Sequence, residues 1–443
     1  MTAGGGAGRP DRRADPRAGP VAVVGAGWAG LAAAVALVKA GREVTVFEMA
    51  PQAGGRARQV QAAGGEFDNG QHILIGAYTH TLALMRQVGA DPQALLLRRP
   101  LALRYPDGAG LALPAGRPLL AFVRAALGAK GWRLTHKLSL LRAAAGWLRG
   151  GFNCPADLTV QQLCQALPAP VRQDLIDPLC VAALNTPAAS ASAQVFLRVL
   201  QDALFAGPGS ADLLLPRAPL SALLPEPACR WLQHAGAQWL PHHRVQVLAP
   251  AASGRPGWQV DGRPFDAVVL ACSATEAARL VAPHQATWAC SAAGLRQEPI
   301  VTAYLADPAL RLPQPMLALR TDAETPAQFV FDLGALGRNP GCFAWVVSGA
   351  APSLEAGLAA CGQRILAQAR RVFPGAFAGD AAQVIQHLSA ERRATFACVP
   401  GLDRPGTRIA TGLVAAGDYI AGPYPATLEG AVRSGQAAAA ALP

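Results

Sequence analysis

Residues 21–48, VAVVGAGWAGLAAAVALVKAGREVTVFE, restrict the fold of this 443-residue chain more than any other stretch. Val21–Val24 is a short apolar run that suits a strand buried on both faces. Gly25, Gly27 and Gly30 follow at the spacing G-x-G-x-x-G, interleaved with Ala26, Trp28 and Ala29. LAAAVALVKAG then predicts a helix closing at Gly41, and EVTVFE a second strand ending at Glu48. In such a unit the first glycine permits a tight turn, the second lets backbone approach a pyrophosphate, and the third lets helix and strand pack closely. The helix start turns unpaired N–H groups toward the phosphates. Glu48, placed 23 residues after Gly25, stands where a carboxylate meets ribose hydroxyls. The expectation is a dinucleotide-binding α/β unit with Gly25, Gly27, Trp28, Ala29, Gly30 and Glu48 at the ligand.

Six residues beyond Glu48 comes Gly54-Gly55-Arg56, followed by Arg58. A second glycine pair with an arginine is foreign to a plain nicotinamide fingerprint. It resembles the extended flavin signature of the amine oxidase and phytoene desaturase superfamily, in which the glycines approach the cofactor and the arginine reaches its phosphate or flavin region. The far end of the chain carries the matching half, GDYIAGPYPATLEGAVRSG at 417–435. The resemblance implies that Gly417-Asp418 lies beside the ribityl chain of FAD. It also implies that a helix from about Thr427-Leu428 aims its first amides at the flavin pyrimidine ring, where a positive helix end stabilises the anionic reduced form. HHRVQVL, GWQVDG and FDAVVLACSA, around 242–273, read as strands of the same domain, with the Val245 backbone matching the position that meets adenine.

The two halves lie almost 400 residues apart, so the fold class follows: α/β, with a Rossmann-type (glutathione reductase-like) FAD-binding domain that is discontinuous and an inserted α+β substrate domain. The expected blocks are 20–95, 220–290 and 398–443 for FAD, and 96–219 with 291–397 for substrate. Residues 1–19, rich in Gly, Pro, Arg and Asp, are expected to form a disordered tail. Arg12-Arg13 opens no export signal in this reading, because the apolar stretch after it is the glycine turn itself.

Composition narrows the partners. Nine scattered cysteines without C-x-x-C spacing argue against a zinc site or a disulfide framework, and fit a reducing cytoplasm. The formal charge is +11, yet no nucleic-acid motif accompanies it. From Gly108 to Ala156 there is no acidic residue, while Arg117, Arg124, Lys130, Arg133, Lys137, Arg142 and Arg149 alternate with leucines and tryptophans. Helices near 117–150 that lie in a membrane interface fit this pattern; so does an amphipathic pair with a solvated arginine face.

The segment FDNGQHILIGAY, 67–78, packs an acid, two amides and a histidine into Asp68–His72 and then turns apolar. Asp68 and His72 are candidate proton donors, with Tyr78 a weaker third. Equally, Asp68-Asn69-Gly70 is an ordinary turn and His72 a core histidine bonded to a carbonyl. Taken with LNTPAASASAQVFLRVL (184–200) and LLLPRAPLSALLP (213–225), the whole set is similar to the squalene-associated FAD-dependent desaturases, a family understood as hydroxysqualene dehydroxylases. That resemblance implies FAD as cofactor, no metal, a C30 isoprenoid substrate and a reduction: hydroxyl lost as water, hydride delivered from reduced flavin. It places the protein in bacterial squalene and hopanoid synthesis; with the basic stretch near 117–150, the expected location is the cytoplasm, peripheral on the inner face of the cytoplasmic membrane. With one dinucleotide fingerprint in the chain, electrons are expected from an external donor. A phytoene-type desaturase, an amine oxidase and a flavin-free membrane adaptor are the competing readings.

Overall fold

Val21–Val24 forms a strand with every residue buried, and the strands Val44–Phe47 and Ala267–Leu270 flank it in parallel, Val21 facing Val44 on one side and Ala267 on the other. A computed structural model describes residues 19–62, 65–251 and 256–442. Across its main sheet the order is Gln238–Leu240, Val44–Phe47, Val21–Val24, Ala267–Leu270, Leu413–Ala415, Arg408–Ala410. All neighbours are parallel except the last pair. Three distant stretches of chain therefore build one sheet. Strands buried on both faces need no alternation, which explains their continuous apolar sequence.

Two helices cover one face. Trp28–Lys39 buries nine of its twelve residues, and the C-terminal helix Leu428–Ala440 crosses it. At the crossing, a Cβ on Gly435 would meet the Ala29 carbonyl oxygen at 2.1 Å and Ala32 Cβ at 2.9 Å. Only glycine admits that approach.

The strand expected over HHRVQVL does not form; strand structure begins only at Leu248, in a small antiparallel sheet of Leu248–Pro250, Trp258–Val260 and Arg263–Phe265. The reason lies further along the chain. The Asp261 carboxylate accepts from the amides of Gln246 (2.9 Å) and Val247 (2.8 Å), so a side chain takes the bonds a neighbouring strand would have taken.

A second sheet is antiparallel throughout, in the order Met316–Ala318, Phe329–Asp332, Cys342–Val347, Gln297–Ala306, Ile385–Phe396. The helix Leu358–Val372 packs on it through Cys361, Ile365, Leu366 and Ala369, against Phe343 and Trp345. Between residues 96 and 219 the chain is mostly helical, including Pro118–Gly128 and Leu134–Arg149. It returns through Leu213–Pro216, a strand that pairs with both Leu74–Ile75 and Leu96–Arg99. Of the tail expected over 1–19, residues 1–18 lie outside the described residues; the Gly19 carbonyl accepts from Arg42 Nε at 3.1 Å. No helix among the described residues is long and apolar enough to cross a membrane.

Candidate cofactor and active site

The carboxyl ends of the parallel strands converge on one edge, the usual ligand-binding edge of an open α/β sheet. Gly25 leaves the first strand at φ 102°, where a Cβ would strike Ala271 carbonyl oxygen at 2.7 Å. Gly30 is held closer still, since a Cβ would lie 1.9 Å from the Gly25 carbonyl oxygen. Gly27 differs: a Cβ there would meet nothing nearer than Gly55 Cα at 3.9 Å, so its outer side is open. Gly27 is also the helix N-cap and brings no side chain to cap it. The amides of Trp28, Ala29 and Gly30 in the first turn have no carbonyl upstream to bond. Gly54 pairs with Gly27 as an isolated parallel bridge, its amide donating to the Ala26 carbonyl at 2.9 Å. The two glycine motifs thus form a single backbone cradle.

Glu48, 7% exposed, closes the end of the second strand. Its Oε2 accepts from the Ala26 amide at 2.7 Å and its Oε1 from Ala50 at 2.8 Å. Each carboxylate oxygen keeps a further lone pair for a hydroxyl donor. Val245, near this end, is buried; its carbonyl accepts from Arg279 Nη2 at 2.6 Å, while its amide has no protein acceptor among the described residues.

Arg56 projects from the cradle toward the second sheet. Its Nη2 contacts Asp418 Oδ1 at 2.5 Å and its Nη1 donates to the Ala394 carbonyl at 2.7 Å. The Asp418 carboxylate beside it raises the guanidinium pKa. Gly417, next to Asp418, donates its amide to Ser434 Oγ at 3.0 Å. Thr427 caps the C-terminal helix by accepting from the Gly430 amide at 3.0 Å, leaving the Leu428 and Glu429 amides without a helical acceptor. The chain reaches that cap through Tyr424 and Ala426, both at positive φ (59° and 57°), a rare conformation for such residues.

The polar stretch at 68–72 lies against the second sheet. Tyr304 Oη donates to the Asp68 carbonyl at 3.0 Å, and Asn69 Nδ2 donates to Glu391 Oε2 at 3.1 Å. His72 Nδ1 faces the Gly70 carbonyl at 3.2 Å, which makes Nδ1 the donor and Nε2 the basic nitrogen. Burial pushes the imidazole pKa down.

The proton-donor role expected of Asp68 is corrected here. Its side chain is 1% exposed, Oδ1 accepts from the Leu220 amide at 2.9 Å, and Oδ2 sits 2.7 Å from Arg338 Nη1 in an ion pair rather than an aligned hydrogen bond. Burial raises its pKa against the pull of Arg338. A carboxylate so enclosed is engaged by Leu220 and Arg338 and fixes the segment, which favours the structural reading of Asp68. Tyr78, its phenol pKa raised by burial, stands edge-on to Tyr424 at 6.2 Å beside the C-terminal helix start, away from His72's own contacts.

Three groups escaped the sequence reading. Gln71 has both amide atoms buried without a partner, as do the Thr302 and Tyr419 hydroxyls. Gln71 and Tyr419 adjoin residues already singled out, so adjacency could have flagged them; nothing in the sequence marks Thr302, or Arg338 as the partner of Asp68.

The family model of flavin containing amine oxidoreductases matches residues 28–443. The chain belongs to the flavin containing amine oxidoreductases. Among curated relatives it is 28% identical to a hydroxysqualene dehydroxylase of Rhodopseudomonas palustris and 29% identical to one of Sinorhizobium fredii, each alignment covering 95% of this chain and 97% of the relative. Its fold is that of an oxidoreductase of known structure from Methanosarcina mazei, at TM-score 0.73 and 16% identity, over 94% of this chain and 99% of that one.

As a flavin containing amine oxidoreductase the protein is an FAD-dependent enzyme, and the site suits FAD. The open side of Gly27 and the unpaired amides of Trp28–Gly30 fit a pyrophosphate; the spare lone pairs of Glu48 fit ribose hydroxyls. The free Val245 amide fits an adenine acceptor, and the orphaned Tyr419, Thr302 and Gln71 atoms are buried polar groups that a polar ring system could satisfy.

Proposed function

We propose that the chain catalyses the reductive dehydroxylation of hydroxysqualene to squalene. The observation that carries this reading is similarity over 95% of the chain to two hydroxysqualene dehydroxylases. In the reaction the carbon–oxygen bond breaks, the hydroxyl gains a proton and leaves as water, and a hydride takes its place on carbon. Reduced FAD supplies the hydride, and a separate electron donor restores it. The protein's part is to hold the chain, exclude water and deliver one proton. We assign the proton to His72 Nε2. Its low pKa makes the imidazolium a strong acid once formed, and Nδ1 is anchored on Gly70. Gln71, beside it with two unpaired amide atoms, orients the departing water. Arg56, Asp418, Glu48, Val245 and the amides at Gly27–Gly30 and Leu428 hold the cofactor. The enzyme works on a C30 isoprenoid at the inner face of the cytoplasmic membrane.

The test is anaerobic: reduce the purified flavoprotein chemically, add hydroxysqualene, and look for squalene by mass spectrometry. Squalene with flavin re-oxidation supports the reading. Absence of product, with phytoene or squalene reducing the oxidised protein instead, assigns it to the desaturases.

A further inference from the structure

The helices Pro118–Gly128 and Leu134–Arg149 form a hairpin outside the site described above. The second spans sixteen residues but buries only Leu140 and Ala144. Eight large hydrophobic side chains are exposed among the described residues, and six belong to this hairpin: Leu119, Leu120, Leu127, Leu134, Leu138 and Leu148, each 45–64% exposed. Exposed leucines scattered singly need no explanation; six on one element do. Spacings of three and four place Leu134, Leu138, Arg142, Ala145 and Arg149 along one outer face. Not one of the seven basic residues from Arg117 to Arg149 takes part in an ion pair among the described residues.

The hairpin is fastened at its turn and packs on the body through Phe122, Ala125, Ala126, Leu140 and Ala144, while its outer face stays bare. Lys130 and Gly110 exchange two backbone hydrogen bonds of 3.1 Å, and Trp132 Nε1 donates to Asp174 Oδ2 at 3.2 Å. Beneath it runs a wholly apolar seam of about 30 Å³, between Phe122, Leu140, Ala144 and Trp147 of the hairpin and Leu175 and Leu200 below. The seam lies along the contact between hairpin and body and is too narrow to hold a lipid as it stands.

Charge selects the occupant. A second copy would bring seven positive charges against seven. An anionic leaflet answers both features at once, taking leucines among its acyl chains and arginines at its headgroups. We propose that this hairpin docks on an anionic phospholipid bilayer and that the seam beneath it is where an isoprenoid chain passes from bilayer to interior. The second half rests on the reaction proposed above; the first does not.

Vesicle flotation of the FAD-loaded full chain tests the docking, using phosphatidylcholine alone and phosphatidylcholine with phosphatidylglycerol. Flotation is expected with the anionic lipid and is expected to weaken with salt. Arg142→Gln with Arg149→Gln lowers partitioning on the order of tenfold. Leu134→Ser with Leu138→Ser lowers it while flavin content and Tm stay at wild-type values. Wild-type flotation by the leucine variant overturns the docking, and so does a dimer in solution that this variant converts to monomer. For the seam, Ala144→Phe is expected to leave flotation intact and abolish the Trp147 fluorescence change on squalene uptake from vesicles, the wild-type signal being absent in Trp147→Phe. Undiminished uptake in Ala144→Phe overturns the route. Because uptake is read without turnover, failure of the route and failure of the proposed reaction are told apart.

Discussion

Arg56 Nη2 lies 2.5 Å from Asp418 Oδ1, joining residues separated by 362 positions, and the same guanidinium holds the Ala394 carbonyl. One side chain therefore ties the glycine cradle to both the C-terminal motif and the edge strand of the second sheet. Arg56→Met breaks all of this at once. The side chain is 39% exposed, so its contribution is expected to be modest, about 1–2 kcal/mol, or a five- to thirty-fold rise in the FAD Kd. Arg56→Lys keeps the charge without the fork and falls between. Fluorescence titration of deflavinated protein measures it; equal Kd values in all three forms would show the arginine to be dispensable.

Asp68 and Arg338 form a buried pair, and removing one member leaves the other uncompensated. Arg338→Met is expected to cost about 3–5 kcal/mol, read by urea denaturation, and Asp68→Asn with Arg338→Met to recover most of that. The pH dependence has a definite sign. Burial raises the folded-state pKa of Asp68, so the stability linked to its protonated form is present at low pH and lost as pH rises through the raised value. Without Arg338 the pKa rises further. The Arg338→Met deficit should therefore shrink in acid, and a deficit independent of pH would count against the carboxylate as its source.

His72 supplies a second pH signature. Its pKa is depressed by burial, and in the proposed role the acid form is the one that delivers a proton. Turnover is expected to rise as pH falls through a value below the ordinary imidazole value of 6.5, until other groups fail. His72→Gln should flatten that limb and lower kcat by about 10²–10⁴-fold with FAD retained. A pH profile unchanged by the substitution removes His72 from proton delivery.

Gly435→Ala tests the helix crossing. Its methyl group would fall 2.1 Å from the Ala29 carbonyl oxygen, a backbone atom that cannot swing aside. Separating the helices moves both N-termini that are proposed to hold the cofactor. A loss of about 1–3 kcal/mol is expected, with a lower flavin-to-protein ratio from absorbance near the flavin band. Alanine at 439, on the same helix and only partly buried, is a suitable control for substitution to serine.

Much of the cofactor half was legible in the sequence because its requirements are local. Gly25, Gly27 and Gly30 fall within six residues of one another, and Gly30 packs directly on the Gly25 carbonyl, so the motif shows in the sequence although Gly25 also meets Ala271 and Gly27 faces Gly55. The same logic failed at HHRVQVL, where alternation suggested a strand but Asp261, more than a dozen residues on, captured the amides. The sequence left Asp68 open between proton donor and turn residue for a related reason. An acid within a turn sequence looks available, and only the fold reveals Arg338, 270 positions away, enclosing it. Long-range pairing of charges leaves no periodic trace. Gln71 likewise became a candidate only once its surroundings proved to offer it no partner.

The main sheet takes its two outermost strands on one side, Leu413–Ala415 and Arg408–Ala410, from the same stretch that delivers Asp418 and the capped helix. A polypeptide interrupted before Arg408 holds four strands of the six and neither the Arg56–Asp418 pair nor the capped helix. Closing this α/β sheet thus waits on the last segment of the chain to be synthesised, because its edge is drawn from the far end of the sequence.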